Sequence, residues 1–432
     1  MHCVFARLCV SLLLSVVATT AASAQTLQRG PTPARDPGQR IVTITLAGDT
    51  GYAPNNARVQ PKGVRRHGRF QTWADTTRLI RPEIDGELNF VNIETVVTDR
   101  NDLRRDTKGQ RGPFNFRTHP NGVRHLVKAG FNLMSLANNH SMDYGLGGLK
   151  ETLKHVARLR RAGLIAANGI GLNREEASRP SRFTIKGAPF AFSSIGIVTN
   201  NLARHRAGPN KPGQIAYRFD SDFDLSVRRL AKTPAAYRIL SVHYGIEGRV
   251  RADARQIKDF RRKAALGAGI DLIVGHHAHV PRGVEIANGR VIFYGLGNFL
   301  HHGTANMSAK GICRDFGLFA KVHLLRGANG RFRARAIEAI ALTGMHARPR
   351  PMGVGKARAR MHALNYLAGR LGGSGGKARG VRFTPQRNGH GLYCFPGAGK
   401  DPGRIGRLCR GWQPAGAIPA RLRGRIAGSC RR

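Results

Sequence analysis

Acidic residues are scarce in this sequence. Its 432 residues include 25 aspartates and glutamates against 71 lysines and arginines, which gives a formal net charge of +46 at pH 7. Such an excess predicts attraction to anionic polymers such as nucleic acid, lipopolysaccharide or polyglutamate. A GC-rich genome, which favours arginine throughout a proteome, is an alternative explanation. The charge therefore predicts an anionic partner without identifying it.

Cysteine is also rare, and the sequence has no Cys-x-x-Cys pair of the kind that binds zinc or exchanges disulfides. Two of the six cysteines lie within the first 24 residues, and the remaining four are Cys313, Cys394, Cys409 and Cys430. Four cysteines permit two disulfides in three connectivities, and the sequence does not choose among them. Because three of the four lie near the C-terminus, the disulfides are expected to staple that region.

Long apolar stretches are missing after the N-terminus. Residues 1–24 contain Arg7, an apolar run over 8–17 and then Ala22-Ser23-Ala24, which is the arrangement of a secretory signal peptide. We expect cleavage after Ala24 and a soluble periplasmic or secreted protein. The alternative, an uncleaved anchor, is disfavoured by the short apolar run. Residues 25–39 are proline-rich and polar and are expected to form a flexible lead-in.

From residue 40 onward, apolar stretches alternate with amphipathic ones, a pattern typical of α/β sheets with helical crossovers. Strands are predicted at 41–46, 88–91, 133–136, 165–166, 237–242 and 270–274, and helices at 120–128, 146–161 and 253–266. Hairpins are predicted over 183–195 and 284–294, and strands 318–324 and 333–340 are expected to extend a second sheet. The predicted fold is α/β, with two mixed β-sheets packed face to face and helices outside.

The periodicity fades after residue 345, and residues 371–376 read Leu-Gly-Gly-Ser-Gly-Gly, which is typical of a linker. We therefore predict one domain over residues 40–345. Residues 346–432 are expected to form a basic, Gly/Arg-rich C-terminal appendage that is loop-rich or partly disordered.

Polar residues follow five of the predicted strands. The strands run into Asp49, Glu94, Asn138-Asn139-His140, His243 and the segment His276-His277-Ala278-His279. Because ligands bind where parallel strands end, these groups are expected to converge if the strands lie side by side. His277 and His279, two residues apart in extended chain, would point the same way. Carboxylate, amide and imidazole groups together suit two divalent ions such as manganese, iron or zinc.

These motifs, in this order, resemble the CapA family of capsule or poly-γ-glutamate synthesis proteins, which is similar to the calcineurin-like metallophosphoesterases. The resemblance covers about residues 41–342, and its most specific pieces are residues 135–145, 243–247, 275–279 and 295–299. It implies a metallophosphatase-like α-β-β-α sandwich. It also implies a part in the synthesis, export or anchoring of an anionic polymer such as poly-γ-glutamate.

The resemblance further implies a role for each residue that matches the motifs. Asp49 and His279 would bind a first metal, and Glu94 would bridge both metals. The second metal would be held by Asn139, His243 and His277. A structural alternative exists for each; Asp49, for example, could merely shape a turn.

His140 would be the acid that protonates the leaving group, although it could instead be a buried, hydrogen-bonded histidine. The phosphoesterases usually have a histidine two residues after the first aspartate, where this sequence has Gly51. The CapA-like pattern shares this absence, so the first metal is expected to have one ligand fewer.

Further residues are expected to support the ligands or to contact substrate. This group consists of Asn138, Asp143, Glu247, His276 and Asn298. Asp143 could also cap the helix that begins near residue 146. His301 and His302, by contrast, are predicted to lie on a solvated loop.

Two classes of function are consistent with these features. The first is an exported metal-dependent hydrolase, phosphoesterase-like, that acts on a phosphoester or an anionic envelope polymer. The second is a non-catalytic metal-binding scaffold that binds such a polymer, and the missing histidine at position 51 motivates it. A nucleic-acid binder is ranked last, because aromatic residues make up only 7% of the chain and form no stacking platform.

Overall fold

The computed structural model of the protein describes residues 40–66, 68–197, 202–304, 307, 309–372 and 376–431. The predicted signal peptide and lead-in, residues 1–39, lie outside these described residues. Within the described residues, no helix is both long enough and apolar enough to cross a bilayer.

Twenty-three strands and ten α-helices make up most of the described chain. The strands are β1 Ile41–Gly51, β2 Gly63–Arg66, β3 Arg69–Thr72, β4 Leu88–Ile93, β5 Val96–Val97, β6 Arg117–Thr118, β7 Leu133–Ser135, β8 Ala166–Asn168, β9 Ile170–Gly171, β10 Ser181–Ile185, β11 Ala188–Gly196, β12 Gly213–Gln214, β13 Tyr237–His243, β14 Leu272–His276, β15 Val284–Ala287, β16 Arg290–Phe293, β17 Asn298–His301, β18 Gly317–Arg326, β19 Phe332–Thr343, β20 Arg350–Pro351, β21 Ala378–Gly380, β22 Thr384–Pro385 and β23 Gly391–Cys394.

The helices are α1 Trp73–Thr77, α2 Pro120–Ala129, α3 Gly145–Leu159, α4 Arg174–Ser178, α5 Leu202–His205, α6 Asp220–Lys232, α7 Ala254–Gln256, α8 Val354–Gly369, α9 Gly403–Cys409 and α10 Ala420–Ser429. Helix α7 continues as a π-helix over Ile257–Gly267, so the two together fill the helix predicted at 253–266. Each strand and helix predicted from periodicity is present, with ends that differ by a few residues.

The strands form two large mixed sheets. The first runs β22-β23-β19-β18-β1-β4-β7-β8, with β17 paired to the end of β1 and β20 paired to β19. The second runs β10-β11-β13-β14-β16-β15-β21. Strands β1, β4, β7 and β8 are parallel in the first sheet, and β11, β13, β14 and β16 are parallel in the second. Parallel strands end at a common edge, so each sheet presents one edge at which loops gather.

The main apolar core lies between the two sheets. Phe90 of β4 meets Phe192 of β11 with ring centroids 6.0 Å apart, and Leu46, Ile239 and Val274 join the same cluster. A second cluster buries one face of α2 and α3 against the outer side of the first sheet. A third packs α6 and the π-helix against the second sheet. The predicted α/β fold, with two mixed sheets face to face and helices outside, is confirmed.

One prediction about the sheets is wrong. Strands β18 and β19, expected to extend a second sheet, belong to the first, where β18 pairs antiparallel with β1. The alternation of apolar and polar residues determines which face of a strand is buried, but it does not determine which strand lies alongside.

The chain after residue 345 is more regular than its composition predicts. Strands β20, β22 and β23 extend the first sheet beside β19, and β21 pairs with β15 in the second sheet. One disulfide joins Cys394 to Cys409 within this region, and the other joins Cys430 to Cys313. Residues 373–375 of the expected linker lie outside the described residues. The predicted appendage, residues 346–432, thus contributes strands to both sheets, and the division of the chain into domains stays a prediction.

Candidate metal centre

The predicted ligands meet at the edge where the parallel strands of both sheets end. Asp49 and Glu94 lie at the ends of β1 and β4 in the first sheet. His243 ends β13, and His277 and His279 follow β14, in the second sheet. The convergence therefore arises from strands of two facing sheets and not from strands that all lie side by side in one sheet.

The ligand atoms form two groups that share Glu94. Atoms of Asp49, Glu94 and His279 lie within 4.8 Å of one another, and so do atoms of Glu94, His243 and His277. The His243 Nε2 atom is 3.2 Å from a Glu94 carboxylate oxygen and 2.8 Å from the Asn139 side-chain oxygen. Five of the six predicted ligands thus fall into the two groups that the resemblance implies, and Asn139 contacts the second group through His243. Their roles as ligands stay a prediction.

A third group of the same kind contains Asp49, His243 and His276. His276 Nδ1 is 3.2 Å from His243 Nδ1 and 3.8 Å from an Asp49 carboxylate oxygen, while its Nε2 is 3.0 Å from the Ser241 hydroxyl. His276 thus contacts two of the predicted ligands, and its expected supporting role stays a prediction.

The two carboxylates of the centre are fully buried. Burial and the Glu94 charge oppose ionisation of Asp49, but a hydrogen bond and charge from His279 and the charge of His243 outweigh them and lower its pKa. Burial likewise opposes ionisation of Glu94, yet His243 and His279 hold its pKa well below its usual value. His279 is affected in the opposite direction: burial disfavours its charge, but Glu94 and Asp49 raise its pKa to about 10. Two buried anions beside imidazoles are a donor set for divalent cations.

The loop after β14 is not extended. His277 has a φ of +88° and His279 a φ of +57°, in the left-handed region that non-glycine residues rarely adopt. The expectation that two histidines in extended chain point the same way is therefore wrong. The turn lets the His277 amide donate to Asp49 at 3.1 Å, and it places the ring centroids of His277 and His279 6.2 Å apart. This left-handed backbone turns both imidazole rings toward the carboxylates of Asp49 and Glu94.

His140 lies beside the ligands in a hydrogen-bonded network. Its Nδ1 is 2.7 Å from Asp143 Oδ2, and its Nε2 is 4.0 Å from a Glu94 oxygen. Asp143 also accepts from the Phe116 amide and pairs with the buried Lys108 ammonium. Burial lowers the His140 pKa to about 4, although Asp143 acts in the opposite direction. Asp143 therefore orients His140; the N-cap of α3 is Tyr144.

Lys108 was not identified from the sequence. Its Nζ atom is 3.1 Å from His140 Nδ1, and its side chain is almost fully buried. It lies in the irregular segment between β5 and β6, where no periodicity or motif signals a contact with the site.

Three further predicted residues have clear positions. The Asn138 amide donates to the Ile93 carbonyl at 2.8 Å, and its oxygen accepts from the His140 amide at 3.0 Å, so it shapes the loop. The Asn298 oxygen is 2.9 Å from His279 Nδ1. Glu247 is exposed on the loop after β13, and its charge contributes to the raised pKa of His279.

His301 and His302 are fully buried, so the prediction of a solvated loop is wrong for both. They lie at the end of β17, which pairs with the last residues of β1. His301 Nε2 is 3.5 Å from a Glu94 oxygen, which places it in the candidate centre. Asn92 was also missed, although it lies in the segment that contains Glu94; its amide donates to Asp49 at 2.9 Å.

The family model of the bacterial capsule synthesis protein PGA_cap matches residues 43–302, which is more than half of the chain and includes every predicted metal ligand. This chain belongs to the bacterial capsule synthesis family. The PGA biosynthesis protein CapA of Bacillus subtilis is 29% identical over 248 residues, which cover 57% of this chain and 60% of that protein. The capsule biosynthesis protein CapA of Bacillus anthracis is 26% identical over 297 residues, which cover 67% of this chain and 68% of that protein.

Among solved structures, the NAD nucleotidase of Haemophilus influenzae is similar at a TM-score of 0.38 and 11% identity. The similarity covers 73% of this chain and 61% of the nucleotidase. A TM-score of this size supports no conclusion about the site. What places the chain among capsule synthesis proteins is the family match over residues 43–302.

Proposed function

We propose that this member of the capsule synthesis family is an exported protein that binds two divalent cations and hydrolyses a phosphoester or a bond in an anionic envelope polymer. The observation that carries the proposal is the position of Glu94, which belongs to both groups of ligand atoms. A carboxylate with two oxygens is the side chain best suited to bridge two cations.

The donor set fits such cations. Both Glu94 oxygens are buried; their contacts with His243 at 3.2 Å and His301 at 3.5 Å lack ordinary hydrogen-bond geometry. A buried anion without hydrogen bonds is costly unless a cation neutralises it. Two carboxylates, one amide and three imidazoles suit manganese, iron or zinc better than calcium or magnesium, which prefer oxygen ligands. When bound, a pair of such ions would supply Lewis acidity to a phosphoryl or acyl oxygen and a nucleophile at neutral pH.

His140 would act as the general acid that protonates the leaving group. Asp143 and Lys108 fix the ring so that Nε2 faces the ligands, 4.0 Å from Glu94. With a pKa of about 4, the ring is neutral near pH 7. An anionic substrate beside the ring would raise the pKa of His140, as the Asp143 carboxylate already does, so that the ring would take up a proton from water and pass it to the leaving group.

The substrate or bound polymer is proposed to be anionic. The net charge of +46 would attract a polyglutamate-like or phosphate-rich chain to the protein and hold it by many weak, salt-sensitive contacts. The same charge supports peripheral contact with an anionic cell envelope. Export is proposed from the N-terminal sequence.

Metal analysis and turnover on the purified protein test this proposal. We expect two equivalents of a transition metal per chain, and hydrolysis of p-nitrophenyl phosphate esters or poly-γ-glutamate that is lost in Asn139→Ala and His140→Ala. Asp102→Asn is a matched control, because this carboxylate is exposed and pairs only with Arg100 among the described side chains. A preparation that binds no transition metal under any tested condition would contradict the proposal.

A non-catalytic scaffold is the second candidate. It is favoured by Gly51, which stands where the phosphoesterases have a metal-binding histidine. A protein that binds two metals and retains anionic polymer on a column, but turns over none of these substrates, would support the scaffold over the hydrolase.

A further inference from the structure

The end of β17 lies directly beside the end of β1. These strands pair in parallel, with Asp49 opposite Asn298 and Gly51 opposite His301. The pairing brings the His301 side chain against the backbone of Gly51. A Cβ atom added to Gly51 would lie 3.4 Å from His301 Nε2 and 3.5 Å from its Cε1. The imidazole of His301 therefore occupies the space into which a side chain at position 51 would project.

The His301 ring is buried without hydrogen bonds. Neither Nδ1 nor Nε2 makes a hydrogen bond of ordinary geometry among the described residues, the contact of Nε2 with Glu94 being 3.5 Å long, and the side chain is fully inaccessible to solvent. Its backbone is held in place, because the His301 amide donates to the Met345 carbonyl at 2.8 Å. A buried imidazole normally satisfies at least one of its nitrogens. An imidazole whose nitrogens make no short hydrogen bond, and whose backbone is fixed, can present a lone pair to a metal.

The ring faces the ligands of the first metal. His301 Nε2 is 3.5 Å from Glu94 Oε2, and its ring centroid is 5.4 Å from that of His279. Phe116 packs edge-on against it, with ring centroids 5.2 Å apart. The apolar contact restricts rotation of the ring, so its Nε2 stays directed at the carboxylate.

We propose that His301 is a ligand of the first metal and replaces the histidine that is absent at position 51. The first metal would then be held by Asp49, Glu94, His279 and His301, a set of two carboxylates and two imidazoles. The inference rests on the proposed function, because it assigns a residue to the same metal pair. It removes the expected deficit of one ligand at the first site, since an imidazole enters the same space from a neighbouring strand.

Metal titration of His301→Ala tests the assignment. Purified protein is stripped with a chelator and titrated with Co²⁺, whose visible absorption reports the number and type of ligands at each site. Wild-type protein should bind two equivalents. In His301→Ala the affinity of one equivalent should fall on the order of 100-fold, while the other is retained. His302→Gln is the matched control: this neighbouring histidine is equally buried but hydrogen-bonds the Tyr52 carbonyl, so both equivalents should persist.

A position swap gives a second, independent readout. In the double variant Gly51→His, His301→Ala, an imidazole is supplied from β1 into the space that His301 vacates. The double variant should regain the lost Co²⁺ equivalent and its absorption bands. If His301→Ala does not fold, the comparison is made between His301→Gln and the double variant, with the same expectation.

The possible outcomes separate this inference from the proposed function. If wild-type protein binds no Co²⁺, both the proposed function and the assignment of His301 are contradicted. Wild-type protein that binds two equivalents, with unchanged affinities and spectrum in His301→Ala, overturns the inference and leaves the proposed function intact. Loss of one equivalent that the position swap restores supports it.

Discussion

Gly48 precedes the first predicted ligand, and its replacement by alanine is expected to disturb both stability and metal binding. A Cβ atom at Gly48 would lie 1.8 Å from the Gly297 carbonyl oxygen. Carbon and oxygen atoms normally approach no closer than about 3.3 Å, so β1 and the segment before β17 would have to separate by more than 1 Å. The same carbonyl accepts a hydrogen bond from the Asp49 amide at 3.1 Å. The substitution therefore affects the backbone that positions Asp49.

The expected magnitude follows from these contacts. Forcing a methyl group into a well-packed site costs about 1–3 kcal/mol, and loss of one backbone hydrogen bond adds about 1 kcal/mol. The free energy of unfolding should fall by about 2–4 kcal/mol. For a chain of this size the entropy of unfolding is roughly 0.8 kcal/mol/K, so the melting temperature should fall by about 2.5–5 °C. Asp49 would also move away from His279, which is now 3.4 Å from it, and metal affinity should fall at least about tenfold.

Thermal melts of the metal-free protein and metal titrations measure the two effects. Gly355→Ala is the matched control, because the same substitution in the first turn of α8 meets no atom within 4 Å. Replacing a helical glycine by alanine is neutral or stabilises by about 0.5–1 kcal/mol. If Gly48→Ala melts and binds metal like the wild-type protein, the close approach of β1 to Gly297 does not hold Asp49 in place, and the reasoning is refuted.

Three further predictions concern charge in and around the centre. Glu94→Gln keeps the shape of the shared side chain but removes its charge, so the affinity for both metal equivalents should fall at least about tenfold in a titration. A fall in affinity for only one equivalent would show that Glu94 does not bind both metals. Asp143→Asn should reduce turnover roughly 10–100-fold in steady-state assays without changing metal content, because His140 loses its orienting partner; unchanged turnover would exclude that role. The melting temperature of metal-free protein should fall as pH drops from about 6.5 toward 4, because the unfolded chain takes up protons that buried histidines reject. Burial lowers the pKa of His302 to about 3 and of His346 to about 4. The melting temperature of His346→Gln should therefore depend less steeply on pH than that of the wild-type protein. An unchanged slope would show that His346 does not contribute to the pH dependence.

The strands and the polar residues that follow them could be predicted because each is indicated by a few consecutive residues of the sequence. Strand β1 reads as a mainly apolar stretch, interrupted by Thr43 and Thr45, that leads into Gly-Asp, and β14 reads as a short apolar run that leads into Gly-His-His. A buried parallel strand requires such a run, and its C-terminal end is the place where polar side chains can face a ligand. The family resemblance then grouped these ends into one centre.

Long-range pairing could not be predicted in the same way. The segment that contains His301 is short and has no alternation of its own, and it becomes a strand only because the end of β1 lies beside it. Lys108 reaches His140 from an irregular segment, where neither periodicity nor composition indicates a contact. Strands β22 and β23 have only two and four residues, too few for the period of two to appear.

The choice of partners for buried carboxylates distinguishes the candidate centre from the rest of the protein. Elsewhere among the described residues, buried acids have a lysine or arginine partner: Glu285 accepts two hydrogen bonds from Arg261, at 2.5 and 2.8 Å, Asp222 pairs with two arginines, and Asp143 pairs with Lys108. Arginine satisfies a carboxylate bidentately and stays protonated, so it excludes a metal. Asp49 and Glu94 are equally buried, yet the ion-pair partners recorded for them among the described residues are imidazoles.

An imidazole differs from a guanidinium because it can release its proton and present a lone pair to a cation. In a chain with 71 lysines and arginines, partners with permanent charge are abundant, but histidines surround these two carboxylates. The surrounding structure also tolerates two histidines with positive φ, at about 1–3 kcal/mol each, and Glu94 oxygens without hydrogen bonds. A centre that served only to stabilise the fold would gain from replacing each of these features. Their presence together is what the proposed binding of divalent cations would require, because such cations need donors that can release a proton.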